Sequence, residues 1–279
     1  MRFAFKTAPQ NTTWAEMLAI WTAADDIEVF ESGWLFDHFY PIHGDSSGPC
    51  LEGWVTLSAL AQATKRVRLG TLVTGIHYRH PAVLANMAAA LDIVSNGRLE
   101  LGIGAGWNEE ESGAYGIELG TPRERSDRFE EACQVLIGLL SQESTDFDGA
   151  YYQLKGARNE PKGPQQPHPP ICIGGGGEQR TLRTAALYAD HWNNVAGDPT
   201  VFAHKRDVLH AHCADVGRDP AEITLSSHVW LRGADQIGAV VDEVAALGDV
   251  GMDLAIIYLA PPLPPTVLEP LADALAPLA

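Results

Sequence analysis

Apolar residues follow two patterns along the chain, and these patterns alternate. Short apolar runs bounded by turn residues predict strands that are buried among helices. Between these runs, apolar side chains recur at helical spacing, as at Val83, Leu84, Met87, Leu91 and Val94. The predicted strands cover residues 3–5, 31–36, 67–74, 99–103, 170–173, 191–195, 223–230 and 254–259.

Eight strands alternating with helices over 279 residues predict an α/β fold of the (β/α)8 TIM barrel type. A doubly wound open sheet is the competing architecture. In a dinucleotide-binding sheet of that type, a G-x-G-x-x-G turn would follow the first strand, and this chain has none there. Because we find no internal repeat and no domain boundary, we expect residues 1–279 to form a single domain. Its functional site should lie at the carboxyl ends of the strands.

Several residues carry signals for helix ends. Thr13 and Glu16 have the spacing of a capping box. Pro81 suits the first turn of a helix, because its missing N–H would be unpaired there anyway. Gly97 provides a left-handed stop for the same helix, and we expect Ser126 to cap a later one.

Composition excludes several classes of partner. A formal net charge of −17 argues against nucleic acid and anionic membranes, which bind basic faces. No apolar stretch approaches the ~20 residues of a membrane span, and the first apolar run is too short for a signal peptide. The cysteines are too far apart for a local zinc site, so we expect a reduced, cytoplasmic protein without a metal. They are Cys50, Cys133, Cys172 and Cys213.

A glycine-rich loop follows the strand predicted over residues 99–103. Gly102, Gly104 and Gly106 omit side chains either because a ligand approaches the backbone or because the barrel rim packs closely there. Their spacing is not the dinucleotide fingerprint. Trp107 and Asn108 favour a ligand, since an indole can wall a planar ring and a carboxamide can donate and accept hydrogen bonds.

Three glutamates, at positions 109–111, come directly after that loop. One of them could supply a general acid. A run of like charges is more typical of a solvated face. We therefore do not place the catalytic acid there.

A second glycine loop lies between the strand predicted over residues 170–173 and the next helix. Backbone amides at a helix N-terminus bind phosphate, which favours an anion cradle over a simple tight turn. Arg180 and Arg183 are expected to add positive charge nearby. The loop consists of Gly174, Gly175, Gly176 and Gly177.

Two other strand ends carry candidate residues. Asp37 and His38 close the strand over residues 31–36, and a histidine there can move protons near neutral pH or serve as a structural hydrogen bonder. Val73, Thr74 and Gly75 close the strand over residues 67–74. A glycine after β-branched residues marks either a bulge under a bound ring or an ordinary strand end.

Five segments together resemble the luciferase-like monooxygenase superfamily of flavin and deazaflavin barrels. The resemblance is greatest to the branch that uses the deazaflavin coenzyme F420. The segments cover residues 34–41, 69–117, 147–154, 169–193 and 217–226, and the long one includes LGTLVTGIHYRHP and NGRLELGIGAGWNEEE.

This resemblance implies a barrel with the cofactor ring at its C-terminal mouth. It places His38 at the reactive edge of the ring, as a catalytic residue that assists proton or hydride chemistry. It also implies a bulge in the third strand, often with a non-proline cis bond, that supports the ring. The implied cofactor-binding residues are Asp37, His38, Val73, Thr74, Gly75, Gly104, Gly106, Trp107, Asn108, Gly174, Gly175, Gly176, Gly177 and Trp192.

The implied activity is hydride transfer between F420 and a small-molecule substrate. An FMN-dependent monooxygenase fed by a separate cofactor reductase is one alternative, and a non-catalytic flavin-binding protein is another. Sugar-phosphate dehydrogenases of this group place a glutamate soon after the G-x-G, where this chain has Trp107. The substrate and the catalytic acid therefore stay open. The resemblance also implies a homodimer formed through the second and third helices.

Overall fold

The strands of the chain close into a parallel barrel surrounded by helices. The computed structural model describes residues 1–195 and 197–279. Its strands are β1 (Arg2–Lys6), β2 (Phe30–Leu35), β3 (Arg68–Thr71), β4 (Thr74–Gly75), β5 (Leu99–Gly104), β6 (Thr145–Asp148), β7 (Gln153–Ala157), β8 (Ile171–Gly174), β9 (His191–Asn194), β10 (Thr224–Leu231) and β11 (Leu254–Leu259). Its helices are α1 (Trp14–Asp25), α2 (Gly53–Ala63), α3 (Pro81–Val94), α4 (Glu109–Ala114), α5 (Pro122–Ser141), α6 (Thr181–Tyr188), α7 (Pro199–Val216), α8 (Ile237–Asp249) and α9 (Leu268–Leu275).

Pairing between the strands shows that the sheet is closed. The strand order is β3-β2-β1-β11-β10-β9-β8-β5, and β3 also pairs with β5. Within the described residues, these eight strands run parallel, while β6 and β7 form a separate antiparallel hairpin. The predicted (β/α)8 barrel is confirmed. The open sheet is excluded, because an open sheet would leave β3 and β5 as unpaired edges.

The third barrel strand is interrupted. Sequence predicted one strand over residues 67–74, but β3 ends at Thr71 and β4 begins at Thr74, with a cis peptide bond between Leu72 and Val73. The bulge that the resemblance implied is therefore present. Thr71 Oγ1 donates to the carbonyl oxygen of Gly102 at 2.9 Å, which ties the interrupted strand to β5.

Helix ends follow the predicted caps with one correction. Thr13 and Glu16 form the capping box of α1, and Pro81 is the first residue of α3. Ser126 lies inside α5 and does not cap it. A second capping box, from Thr121 to Glu124, begins this helix one turn earlier, because it satisfies two terminal N–H groups where a lone serine satisfies one.

Side chains fill the barrel below its carboxyl end. An interior cluster of buried residues closes the lumen, and a smaller cluster of Ala8, Phe36 and Tyr258 lies above it. The described part of the barrel interior is therefore a packed core below its mouth. The interior cluster comprises Ala4, Trp34, Leu72, Cys172, Leu254 and Ile256.

Two further sequence expectations bear on the described residues. Among them, no helix combines the length and apolar character that a membrane crossing requires. The same residues contain no group of three or more histidine, cysteine, aspartate or glutamate side chains placed to hold a metal ion.

Candidate functional site

A cavity of about 400 Å³ opens at the carboxyl end of the barrel. Loops after β2, β4, β5 and β8 line one side of it, and the ends of β1, β10 and β11 line the other. A volume of this size accommodates a small organic ligand. Predicted site residues that line it are His38, Val73, Gly75, Gly104, Gly106, Trp107, Gly174 and Gly175.

Val73 is the centre of what we call the glycine wall, formed by Val73, Gly75, Gly104, Gly174 and Gly175. A Cβ atom at Gly104 would lie 2.7 Å from Val73 Cγ2, and one at Gly174 would lie 2.8 Å from Val73 Cγ1. These glycines are therefore needed to accommodate the bulge. Close packing at the barrel rim, one of the two explanations that the sequence left open, accounts for these glycines. Val73, which they surround, faces the cavity.

His38 is held by a buried carboxylate. Its Nδ1 lies 2.7 Å from Glu111 Oε2, and the backbone N–H of Phe39 donates to Glu111 Oε1 at 2.5 Å. Tyr78 donates its hydroxyl to the same Oε2 in a short hydrogen bond, and it lies 3.4 Å from His38 Nδ1. With Nδ1 committed to Glu111, Nε2 is the ring nitrogen that His38 can offer to a ligand.

Burial of Glu111 corrects the sequence interpretation of the glutamate run. Glu109 and Glu110 are exposed, as a solvated face requires, but Glu111 is 0% exposed. Asn108 decides this orientation: its side-chain oxygen accepts the Glu111 N–H at 3.2 Å and caps α4. The third residue of that helix consequently turns inward, toward His38. Asn108 itself supports the cavity without lining it.

Burial and hydrogen bonds determine the protonation states of Glu111 and Tyr78. Burial alone would raise the pKa of Glu111, but the hydrogen bonds from His38, Tyr78 and the Phe39 N–H hold it below its usual range. Burial and the neighbouring carboxylate raise the pKa of Tyr78. Glu111 is therefore an anion at neutral pH, and Tyr78 remains a hydrogen-bond donor.

Asp37, predicted to lie beside the ring, does not line the cavity. It is buried, and its two carboxylate oxygens accept hydrogen bonds from the Arg79 guanidinium at 2.5 and 3.1 Å. Burial raises the pKa of Asp37, although Arg79 opposes this shift. Asp37 thus joins the end of β2 to the start of α3 and keeps the neighbouring His38 in place.

The loop of residues 174–177 does not have the free positive charge beside it that the sequence predicted. Arg180 contacts Asp127 at 2.6 Å, and Arg183 contacts Glu130 at 3.7 Å. Both arginines are therefore neutralised by α5 and do not supply the free positive charge that was expected. Lys205 lies beside the loop, since a Cβ atom at Gly176 would lie 3.6 Å from its Cε, but its Nζ is paired with Glu178 Oε1 at 2.7 Å.

Four other predicted site residues stand behind the cavity surface. Trp192 is buried and donates its indole N–H to the carbonyl of Gly175 at 2.8 Å, which orients the loop. Thr74 accepts the Trp54 indole N–H at 3.0 Å and stabilises the bulge. Gly176 and Gly177 continue the loop toward α6.

Sequence reasoning missed the opposite side of the cavity. Lys6 ends β1, and parallel pairing aligns it with Tyr258, which in turn aligns with Trp230. His228 also lines this side, whereas His77, which sequence reasoning missed as well, lines the cavity from the loop after β4, and burial lowers its pKa to about 4. A signal was available, because each of Lys6, Trp230 and Tyr258 lies at the carboxyl end of a predicted strand.

Comparisons with known proteins identify the family of the chain and several of its relatives. The family model described as luciferase-like monooxygenase matches residues 1–260. An F420-dependent glucose-6-phosphate dehydrogenase of Microbacterium testaceum is 32% identical over 208 residues, which cover 74% of this chain and 60% of that protein. An F420-dependent hydroxymycolic acid dehydrogenase of Mycobacterium tuberculosis is 33% identical over 198 residues, which cover 70% of this chain and 52% of that protein.

Among solved structures, an F420-dependent secondary alcohol dehydrogenase in complex with an F420–acetone adduct superposes with a TM-score of 0.87. It is 19% identical, with 100% of this chain and 99% of that chain covered, so this likeness concerns the fold. The chain matches little more than half the length of the first curated relatives, 57% in each case.

Proposed function

Because the chain belongs to the luciferase-like monooxygenase family, we propose that it is an oxidoreductase that transfers hydride between coenzyme F420 and a small organic substrate. The names of the relatives support F420 as the cofactor. The observation that carries the proposal is the His38–Glu111 pair at the edge of the cavity, beside the glycine wall. An imidazole held in this way can exchange a proton with a substrate.

The residues of the cavity fit a flat tricyclic cofactor. The glycine wall presents backbone and the Val73 side chain and no charged group. Trp107, whose side chain is exposed, follows this wall in the loop after β5, and its ring centroid lies 5.6 Å from that of His38. Residues 174–177 run from the end of β8 to the turn that leads into α6, so their backbone amides can hold the phosphate of the cofactor tail. When bound, a reduced deazaflavin supplies hydride and reacts poorly with oxygen.

In this proposal, three side chains of the protein act together to move a proton to or from the substrate. Glu111 fixes the orientation of His38 by holding Nδ1, so that Nε2 exchanges the proton of the reacting oxygen of the substrate. Tyr78 donates to Glu111 and limits the rotation of its carboxylate. This chain has Trp107 where sugar-phosphate dehydrogenases of the group place a glutamate, so in this proposal His38 serves as the catalytic acid. The aromatic side chains that line the cavity limit the access of water.

Titration of the purified protein with F420 and with FMN tests the cofactor. Absorbance and fluorescence of each cofactor are recorded as the protein is added, and we expect micromolar binding of F420. Micromolar binding of FMN with none of F420 would refute the leading proposal. That result would favour the monooxygenase fed by a separate reductase.

A turnover assay separates the enzyme from a non-catalytic flavin carrier. Loss or gain of the absorbance of oxidised F420, followed with panels of small ketones and alcohols, reports hydride transfer. The open cavity beside His38 supports an enzyme. Binding of cofactor with no turnover across the panel, and with no change on replacement of His38, would identify a carrier.

A further inference from the structure

Lys6 is a buried lysine for which the described residues provide no carboxylate partner. Lys6 is 5% exposed, and its Nζ donates a hydrogen bond to the carbonyl oxygen of Leu72 at 3.1 Å. Nζ also lies 4.9 Å from the centroid of the Tyr258 ring. Among the described residues, no aspartate or glutamate oxygen lies within 4 Å of Nζ, although the sequence contains 36 such residues.

His228 lies beside it with an unsatisfied ring nitrogen. This residue is 5% exposed, and its Nε2 has no hydrogen-bond partner among the described residues. Burial, and secondarily the charge of Lys6, hold the pKa of His228 well below its usual range, so the imidazole is neutral at pH 7. Buried polar groups without partners are uncommon, and in a cavity they indicate a position that a ligand completes.

Both side chains line the cavity, and they come from strands, β1 and β10, that lie across the barrel from strands of the glycine wall. In the closed order of eight strands, β1 lies four places from β8, β11 four places from β5, and β10 four places from β3. The two sides also differ in chemistry. One presents glycines and Val73 to a flat ring, whereas the other presents Lys6, His228 and the aromatic pair Trp230–Tyr258.

We propose that Lys6 and His228 form a subsite that binds a carboxylate group of the substrate. A carboxylate supplies the counter-ion that Lys6 lacks and an acceptor for the N–H groups that Leu72 leaves unused. The second carboxylate oxygen can accept a hydrogen bond from His228 in the tautomer that carries its proton on Nε2. Among the described residues, none that lines the cavity is an aspartate or glutamate.

This subsite rests on the proposed function only in taking the cavity as the place where the substrate binds. It narrows the substrate class to organic acids small enough for the carboxylate to bind at Lys6 and His228 while the reacting carbon lies near His38 in the same cavity. Trp230 and Tyr258, with ring centroids 4.0 Å apart, provide an apolar surface for the carbon skeleton.

Binding should depend on pH through Lys6. Burial lowers the pKa of Lys6 to about 7, and a bound carboxylate favours the charged form, so affinity should fall as the pH rises above 7. The titratable groups around Lys6 are His43 from the loop after β2, Cys172 on β8, His228 on β10 and Tyr258 on β11. Burial lowers the pKa of His43 as well and raises that of Cys172.

Calorimetric titration of the full chain with benzoate, and with benzyl alcohol as its neutral counterpart, tests the subsite. Wild type should bind benzoate at least tenfold more tightly than benzyl alcohol at pH 6, and this preference should decline by pH 8.5. Lys6→Met should reduce benzoate affinity at least tenfold at pH 6 and remove the pH dependence. The matched control is Lys65→Met, an exposed lysine, which should behave as wild type.

Three outcomes would overturn the proposal. Equal affinity of wild type for benzoate and benzyl alcohol is one, and it needs no variant that folds. Unchanged benzoate binding in Lys6→Met is the second. The third is weaker F420 binding in Lys6→Met with benzoate unaffected, which would assign Lys6 to the cofactor. Failure of wild type to bind F420 would refute the proposed function and leave the benzoate result standing.

Discussion

His38 Nδ1 lies 2.7 Å from Glu111 Oε2, although the two residues are 73 positions apart in the sequence. The contact joins the loop after β2 to α4 across the mouth of the barrel. It selects one imidazole orientation and makes His38 and Glu111 a functional unit. Several expected outcomes depend on this relationship.

Glu111→Gln should slow turnover by about 100-fold, within the range that general acid–base catalysis contributes. The amide keeps the shape of the side chain but cannot stabilise a protonated His38. F420 affinity should change little, since Glu111 does not line the cavity. Steady-state kinetics and F420 titration measure the two effects. Glu110→Gln is the matched control, because Glu110 is exposed one position away; an equal loss in both variants would contradict the role of Glu111.

His38→Ala should bind F420 with near-normal affinity and slow turnover by about 100-fold or more. In combination with Glu111→Gln, the losses should not add, because Glu111 acts through the imidazole that is already missing. Rates of the two single variants and the double variant test this coupling. Unchanged turnover in His38→Ala would remove the residue from the mechanism, and additive losses would separate the two side chains.

Glu111 should also make stability depend on pH. Its pKa is lower in the folded state than its ordinary value of 4.5, so its anion stabilises the fold above pH 4.5. This contribution is lost as the pH falls below 4.5 and through the folded-state pKa. We expect the free energy of unfolding of wild type to exceed that of Glu111→Gln at pH 7 and the difference to shrink toward pH 3. Urea unfolding at several pH values measures it, and a constant difference would refute the assignment.

Gly104→Ala should destabilise the protein by about 1–3 kcal/mol, as overpacking does elsewhere, because its Cβ would lie 2.7 Å from Val73 Cγ2. Adding Val73→Ala should recover part of this loss by removing the opposing methyl groups. Gly113→Ala is the control, since nothing lies within 4 Å of a Cβ there. Thermal unfolding compares the variants. No recovery in the double variant would show that the clash lies elsewhere.

The homodimer stays a prediction, and exposed apolar residues on α2 and α3 identify where to test it. Val55 is 71% exposed and Val83 is 52% exposed. If these helices form the interface, Val55→Glu should shift sedimentation from dimer mass to monomer mass, because a charge would be buried without a partner. Val201→Glu on α7 is the control, as Val201 is 40% exposed. A wild-type protein that sediments as a monomer would contradict the prediction.

Most of the architecture was readable from local patterns. Apolar runs and helical spacing predicted the eight barrel strands, and the Thr13–Glu16 capping box and Pro81 marked helix starts that the structure contains. Residues 67–74 were harder, because their composition suits one continuous strand while the chain is interrupted at Leu72 and Val73. The residues alone left a bulge and an ordinary strand end open, and the resemblance to a family implied the bulge.

The sequence by itself determined the alternation of elements, the family and the residues at the strand ends. Tertiary structure decided which of these residues work together. Three adjacent glutamates are equivalent in sequence, but the phase of α4 buries Glu111 alone against His38. Lys6 looks like an ordinary strand end until the barrel closes and buries it with no carboxylate partner among the residues that the structure describes. Such outcomes depend on the register and packing of distant segments, which local periodicity does not encode.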